Sequence, residues 1–223
     1  VSDAALFSEG RGLAWSENVD GYTALHILDL KGTGHEEQPD LPRGVYDIAW
    51  APDAPVLAIR VAGPRLPGDI FTYDPPSHRL TRATRSTAAG LDLDQLVVPR
   101  TVSFPSWDGD TIHGLLYLPA TAAHRRPPVL LALHGGPSSQ ARPTYQPLVQ
   151  YVLARGVAVL DLDYRGSTGY GRRFTELDDG RRRMDAVRDM GGALDWLGRQ
   201  RLVDASRAGV FGASYGGFMA FAA

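Results

Sequence analysis

The stretch Gly209-Val210-Phe211-Gly212-Ala213-Ser214-Tyr215-Gly216-Gly217 decides the fold, near the end of a chain of 223 residues. A short strand-like run leads into the pattern G-x-S-x-G, and a helix-favouring run follows, which is the context that this pattern requires. Glycine is needed two residues before and after the serine because a β-carbon there would collide with neighbouring backbone. The stretch predicts a sharp strand-to-helix turn that lifts the hydroxyl of Ser214 clear of a sheet edge, the position of a nucleophile.

A second glycine-containing turn, His134-Gly135-Gly136-Pro137, follows the apolar run 129–133. A flexible glycine pair after a strand can turn a backbone N–H toward a reacting carbonyl group, and the N–H of Tyr215 is the expected second donor. Each such donor lowers the barrier of acyl transfer by roughly 3 kcal/mol. His134 is also a candidate general base, but we expect its ring to hold the loop by hydrogen bonding.

Alternating apolar strands and helices predict an α/β fold for the second half of the chain. The continuous apolar runs at 129–133 and 157–160 are typical of strands buried on both faces. One helix is predicted over 145–154. Another is predicted from apolar residues that recur at spacings of three and four, namely Met184, Val187, Met190, Leu194 and Leu197. A hairpin is predicted around Asp108-Gly109-Asp110. Strands that alternate with helices indicate a parallel sheet.

Residues 1–85 instead predict short strands separated by turns. Strand-like runs at 48–50, 56–59, 69–73 and 79–81 place four strands in about 40 residues, the size of one propeller blade. We interpret this segment as the last blades of a β-propeller, with a piece of a β-sandwich as the alternative. At about 40 residues per blade, residues 1–85 have room for about two blades. Two blades cannot close a propeller, so others are expected to precede them. The small and polar segment 86–100 is then a linker, and 101–223 the start of the α/β domain.

The composition excludes several classes of protein. Lys and Arg number 23 against 25 Asp and Glu, a balance that argues against nucleic acid or an anionic membrane as the main partner. The chain has no cysteine, which rules out disulfides, thiolate metal sites and a cysteine nucleophile. No apolar run approaches the ~20 residues that span a bilayer. We expect no metal, no cofactor and, since no export signal is visible, a cytoplasmic location.

The glycine-rich run Asp163-Tyr164-Arg165-Gly166-Ser167-Thr168-Gly169-Tyr170-Gly171 follows the second apolar strand. It lacks the lysine-containing pattern of a phosphate-binding loop, and composition alone allows an ordinary surface turn. The cluster Arg181-Arg182-Arg183 lies farther along the chain. At a net charge near zero it indicates a solvated helix start or salt-bridge partners rather than an anion site.

Three of these motifs, His134–Pro137, Tyr164–Gly171 and Gly212–Gly217, together resemble the signature of the prolyl oligopeptidase family of serine peptidases. The His-Gly-Gly-Pro form is most similar to the acylaminoacyl-peptidase and oligopeptidase branch. The resemblance is strong from about Val102 onward and weak before it. It implies a β-propeller that restricts access, stacked on an α/β-hydrolase domain that cleaves short peptides without a cofactor.

The resemblance also implies roles for individual residues. Ser214 corresponds to the family's nucleophile, and the N–H groups of Tyr215 and Gly136 correspond to its oxyanion hole. The sequence departs from the family at Asp163, where asparagine is usual, and at Arg182-Arg183, where Trp-Gly is common. A further departure is Pro99-Arg100, where Pro-Glu is common. These departures affect the expected substrate preference and local packing.

A serine hydroxyl becomes a good nucleophile only when a base takes its proton. In this fold the catalytic order along the chain is serine, then an acid, then histidine. All six histidines precede Ser214, the chain opens on Val1 rather than Met, and its last residues favour a continuing helix. We therefore expect a piece of a longer protein whose acid and histidine lie beyond Ala223, and little activity from these 223 residues alone.

Two other functions remain open from the sequence. A carboxylesterase or lipase of the same fold shares the G-x-S-x-G pattern and a His-Gly-Gly loop, although the propeller-like segment and the Tyr-Arg-Gly-Ser loop argue against it. The other is a non-catalytic, propeller-bearing interaction protein with a vestigial hydrolase domain. The motifs together favour a peptidase that acts on short peptides through an acyl-enzyme on Ser214.

Overall fold

The computed structural model describes residues 3–7, 12–30, 34 and 36–223. The chain forms two compact units, one made of Val1–Leu96 with Arg142–Tyr145, the other of Val97–Ala141 with Gln146–Ala223. The chain leaves the first unit within the predicted linker. Val1 and His35, which entered the sequence argument, lie outside the described residues.

The first unit contains two four-stranded antiparallel sheets, each built from strands that are consecutive in the sequence. The strands of the first sheet are β1 (Asp3–Leu6), β2 (Gly12–Val19), β3 (Tyr22–Asp29) and β4 (Glu36–Glu37). Those of the second are β5 (Val45–Trp50), β6 (Leu57–Gly63), β7 (Leu66–Asp74) and β8 (Arg79–Arg82). The four strand-like runs predicted between 48 and 81 correspond to β5 to β8, although β6 begins at Leu57, one residue after the start of the predicted run.

Alternation of apolar and polar residues along these strands builds one shared core. The buried residues of this core come from both sheets: Ala14, Leu25, Ile27, Ile48, Leu57, Ile59, Val61, Phe71 and Tyr73. The indole N–H of Trp50 on β5 donates to the carbonyl oxygen of Ala5 on β1 at 3.0 Å, and this hydrogen bond joins the two sheets beside the core. Each sheet therefore covers apolar surface that the other could not bury alone.

The second unit is built on a mixed five-stranded sheet in the order β13-β11-β12-β10-β9. Its strands are β9 (Arg100–Pro105), β10 (Thr111–Tyr117), β11 (Val129–Leu133), β12 (Ala158–Asp163) and β13 (Ala208–Gly212). The prediction of a parallel sheet is confirmed for β13, β11 and β12, and the predicted hairpin is confirmed by the antiparallel pairing of β9 with β10. The hairpin also joins the parallel strands, because β10 pairs antiparallel with β12, and this pairing was not predicted.

Helices cover both faces of this sheet: α1 (Pro147–Ala154), α2 (Arg172–Thr175), α3 (Arg183–Gln200) and α4 (Tyr215–Ala222). The first helix begins later than predicted because a proline, well suited to a first helical position, holds the preceding Gln146 in an extended conformation. In the described residues, no helix combines the length and the apolar character needed to cross a membrane.

The predicted apolar face of α3 is correct except at its start. Met190 and Leu197 are buried, but Met184 is 49% exposed, because the buried stripe begins only with Ala186, one turn into the helix. Arg181, Arg182 and Arg183 are exposed just before and at the helix start, in agreement with a solvated cluster. On one face the sheet packs under α3 and α4, and on the other, α1 covers Leu115, Tyr117 and Val159.

A buried ion network fixes the loop that follows β12. The guanidinium of Arg165, which is 3% exposed, contacts Asp189 of α3 at 2.7 Å and Asp108 of the β9–β10 turn at 2.8 Å. Ser106 also donates to Asp189, at 2.6 Å. Burial alone would lower the pKa of Arg165, but its hydrogen bonds to the two carboxylates raise it above the ordinary value. One cation thus ties the loop, the hairpin and α3 together.

Removal of Asp189 should be far more damaging than removal of another aspartate on the same helix. In Asp189→Ala the buried Arg165 cation keeps only one carboxylate partner, the partly exposed Asp108. We therefore expect a loss of about 3–5 kcal/mol in the free energy of unfolding. Asp185→Ala breaks only an outer pair with Arg188 and should cost at most about 1 kcal/mol. Urea unfolding followed by circular dichroism measures both values, and equal losses would contradict this account of the network.

Candidate active site

Ser214 lies on a strained turn between β13 and α4. Its backbone angles are φ 55° and ψ −122°, a combination that residues other than glycine rarely adopt. The residue is exposed. A residue held in such a conformation costs on the order of 1–3 kcal/mol and persists only where its surroundings fix it. The turn predicted from G-x-S-x-G is therefore present, and its serine points away from the core.

The two glycines that flank the serine are required by close approach of backbone rather than by unusual φ values. A β-carbon at Gly216 would lie 2.2 Å from the carbonyl oxygen of Leu133 at the end of β11. A β-carbon at Gly212 would lie 2.4 Å from the carbonyl group of Gly216. Both distances are far shorter than a non-bonded contact of a β-carbon allows, so the prediction that only glycine fits at these two positions is confirmed.

The loop after β11 lies directly beside Ser214. Leu133 and Gly212 are partners in the parallel pairing of β11 with β13, so their following residues emerge at the same sheet edge. A β-carbon at Gly135 would lie 3.5 Å from Ser214 Cβ and 3.9 Å from Ser214 Oγ. The next residue, Gly136, has φ +127°, which glycine adopts readily. The structure thus brings the glycine pair and the serine together.

His134 holds this loop, as predicted. Its Nδ1 lies 2.8 Å from the carbonyl oxygen of Gly135, its Nε2 lies 2.9 Å from Ser167 Oγ, and its ring stacks on Tyr164 at 4.5 Å. A carbonyl oxygen only accepts, so Nδ1 carries the proton. Burial lowers the pKa of His134, against a smaller rise from the Gly135 hydrogen bond, and this favours the neutral ring. Both nitrogens face the loops, and neither is directed at Ser214.

The first half of the glycine-rich run at the end of β12 is buried, and only its second half, with Gly169 and Gly171 exposed, lies at the surface. Tyr164, Arg165 and Ser167 are at most 3% exposed. At the start of the run, Asp163 is also buried, and its two oxygens accept from the backbone N–H of Ala141 at 2.6 Å and from the Tyr170 hydroxyl at 2.8 Å. A carboxylate can accept at both oxygens, so Asp163 joins the loops that follow β11 and β12.

Tyr215, the first residue of α4, is held at both ends of its side chain. Its hydroxyl donates to Oδ2 of Asp178 at 3.0 Å, and its ring stacks near Tyr164 with centroids 6.0 Å apart. Burial, together with the hydrogen bond to Asp178, raises the pKa of Tyr215 to about 12, so the phenol remains a neutral donor. The contact between Asp178 and Tyr215 could not be predicted from the sequence. The two residues lie 37 positions apart, and no motif distinguishes the pair Asp178-Asp179 from other acidic residues.

Within the part of the chain that the structure describes, no cluster of three or more His, Asp or Glu side chains is arranged to hold a metal ion. The polar groups around Ser214 instead form hydrogen bonds with one another and with backbone.

Comparison with known families matches the last part of the chain. Residues 143–223, which contain the Tyr-Arg-Gly-Ser loop and the Ser214 turn, match the model of the prolyl oligopeptidase family. Over this segment the chain is similar to that family of peptidases. The match covers the loop after β12 and the serine turn, two of the three motifs from which the resemblance was inferred.

Individual relatives agree with this assignment. The uncharacterized peptidase YuxL of Bacillus subtilis is 27% identical over 98% of this chain and 35% of its own length. Dipeptidyl aminopeptidase BIII of Pseudoxanthomonas mexicana is 31% identical over 66% of this chain and 22% of its own length. A solved puromycin hydrolase superposes with a TM-score of 0.85 at 26% identity, covering 98% of this chain and 33% of that protein. The chain therefore spans about a third or less of the length of these relatives.

Substitutions at the two adjacent glycines of α4 should separate steric exclusion from helix propensity. Gly216→Ala places a methyl group against two backbone carbonyls, so we expect a loss of at least about 1–3 kcal/mol in the free energy of unfolding. Gly217→Ala meets nothing closer than 3.5 Å and, in a helix, should be neutral or stabilise by up to about 1 kcal/mol. Thermal and urea unfolding of both variants checks this, and a Gly216→Ala protein as stable as Gly217→Ala would contradict it.

Proposed function

We propose that the whole protein is a serine peptidase that hydrolyses short peptides through an acyl-enzyme on Ser214. The observation that carries the proposal is the exposed, strained serine beside the glycine pair of the loop after β11. In this proposal residues 1–85 are the last blades of a β-propeller that restricts access and 86–100 a linker. Residues 101–223 are then the first part of an α/β-hydrolase domain.

The proposed reaction has two halves. The Ser214 oxygen attacks the carbonyl carbon of the scissile amide while a base takes its proton, and a tetrahedral oxyanion forms. Collapse of this intermediate breaks the C–N bond, and the base returns the proton to the departing amine, leaving an ester on Ser214. Water then repeats the sequence on the ester, releasing the acid and restoring the hydroxyl.

Two backbone donors are proposed to stabilise the oxyanion. Tyr215 is the first residue of α4, where N–H groups have no partner within the helix and form the positive end of its dipole. The second donor is the N–H of Gly136. Because the C=O and N–H of a trans peptide point in opposite directions, the hold of His134 on the Gly135 carbonyl directs the Gly136 N–H away from the imidazole.

The base remains to be supplied. His134, the histidine nearest to Ser214 in the motifs, has both ring nitrogens engaged elsewhere, by the Gly135 carbonyl oxygen and Ser167 Oγ. We therefore propose that the histidine and its orienting acid come from parts of the whole protein that these 223 residues do not include. The 223 residues alone would then hydrolyse little.

Amide bonds of short peptides are the proposed substrates, rather than simple esters. The relatives bear the names of a peptidase, a dipeptidyl aminopeptidase and a puromycin hydrolase, and none of these names is that of an esterase. The loop Tyr164–Gly171, with its buried Arg165 and Asp163 contacts, lies within the segment that matches the peptidase family model.

Ser214→Ala in the whole protein should lower kcat on a chromogenic peptide amide by at least about 10⁴-fold, because no other group takes the place of the attacking oxygen. It should also abolish covalent labelling by a fluorophosphonate, which requires an activated serine. Ser206→Ala, a surface change beside Asp204, is the matched control and should retain full activity. Turnover or labelling that survives in Ser214→Ala would refute the assignment of the nucleophile.

A further inference from the structure

Asp178 is a buried carboxyl that the proposed reaction does not use. It ends the short turn Glu176–Asp178 between α2 and α3 and is 1% exposed. Burial raises its pKa, and the Tyr215 hydroxyl, which donates to its Oδ2 at 3.0 Å, opposes that rise. A carboxyl is costly to bury, so its retention here calls for a reason beyond filling space.

The Asp178 carboxyl also packs closely against Gly166 in the loop that follows β12. A β-carbon at Gly166 would lie 2.5 Å from Asp178 Cγ, so no larger residue fits beneath it. Gly166 has φ +97°, and its N–H donates to the carbonyl oxygen of Phe174 at 3.0 Å. The backbone of Gly166 therefore restricts the position of the Asp178 carboxyl, in addition to the hydrogen bond from Tyr215.

Tyr215 is held on several sides once Asp178 has fixed its hydroxyl. The Arg183 guanidinium lies 5.6 Å from the centre of its ring, and Phe218 packs 5.5 Å from it one turn along α4. The backbone of Tyr215 directly follows the strained Ser214. Fixing the far end of this side chain limits rotation of the first turn of α4 and, with it, the conformations open to the serine.

We infer that Asp178 is a positioning residue of the Ser214 turn, acting through its hydrogen bond to the Tyr215 hydroxyl. The inference rests on the proposed function, because it assigns Asp178 to the geometry of that reaction. A backbone held at φ 55° relaxes unless its neighbours restrain it. Asp178 supplies such a restraint, because it packs against Gly166 in the loop after β12 and accepts the hydrogen bond of Tyr215 at the start of α4. Enclosed between Gly166 and Tyr215, it does not contact substrate.

The test uses four variants of the whole protein. Asp178→Ala and Tyr215→Phe each remove one end of the hydrogen bond, and Asp178→Asn keeps an acceptor oxygen. Asp179→Asn changes the neighbouring, exposed acid and is the matched control. Misplacement of reacting groups costs up to about 100-fold in rate. We therefore expect Asp178→Ala and Tyr215→Phe to lower kcat between about 10-fold and about 100-fold, with KM changed less than about twofold.

Two further results distinguish positioning from a general structural role. Asp178→Asn should recover most of kcat, because its side-chain oxygen still accepts from the phenol. The double variant Asp178→Ala/Tyr215→Phe should be no slower than either single variant, since both remove the same interaction. Asp179→Asn should match the unmodified protein in kcat and KM.

Several outcomes would overturn the inference. Unchanged kcat in Asp178→Ala, or losses that multiply in the double variant, would show that the two side chains act separately. If Asp178→Ala fails to fold by circular dichroism, Tyr215→Phe carries the test, and a full kcat in that variant overturns the inference. An unmodified protein that neither hydrolyses peptides nor reacts with a fluorophosphonate would refute the proposed function, and this inference with it.

Discussion

The site depends on the approach of the Gly216 backbone to the carbonyl oxygen of Leu133. A separation that leaves no room for a β-carbon brings the start of α4 directly onto the end of β11. The chain between β13 and α4 must then reverse within a few residues, and the backbone of Ser214 absorbs this reversal in its unusual φ and ψ. An exposed hydroxyl at the sheet edge follows from close packing rather than from any feature of the serine itself.

Two loops at the same sheet edge are held by polar contacts in addition to apolar packing. Asp163 bonds to the loop after β11 as well as to Tyr170, and Arg165 bonds to acids on α3 and on the β9–β10 turn. In a low-dielectric setting such bonds are strong when every partner is present and costly when one is missing. These contacts restrain the loops beside Ser214, as a preorganised site requires.

Local features of the site could be predicted from the sequence, and distant partners could not. The turn at Ser214, the adjacent glycine loop and the role of His134 follow from short patterns whose steric or hydrogen-bonding demands are local. The hairpin of β9 and β10 was also predicted, but its antiparallel pairing with β12 was not, because a local turn pattern does not show which distant strand lies beside it. Asp178 and Asp189 were missed because their partners lie 37 and 24 residues away, with no periodicity to mark them.

A crystal structure of the whole protein after reaction with a fluorophosphonate tests the central claim most directly. The claim is that the packed turn presents an activated serine to two backbone donors. It predicts a covalent bond from Ser214 Oγ to phosphorus, with one phosphonyl oxygen 2.7–3.1 Å from the backbone nitrogens of Tyr215 and Gly136. An adduct on another residue, or a phosphonyl oxygen that faces solvent beyond reach of both nitrogens, would contradict it.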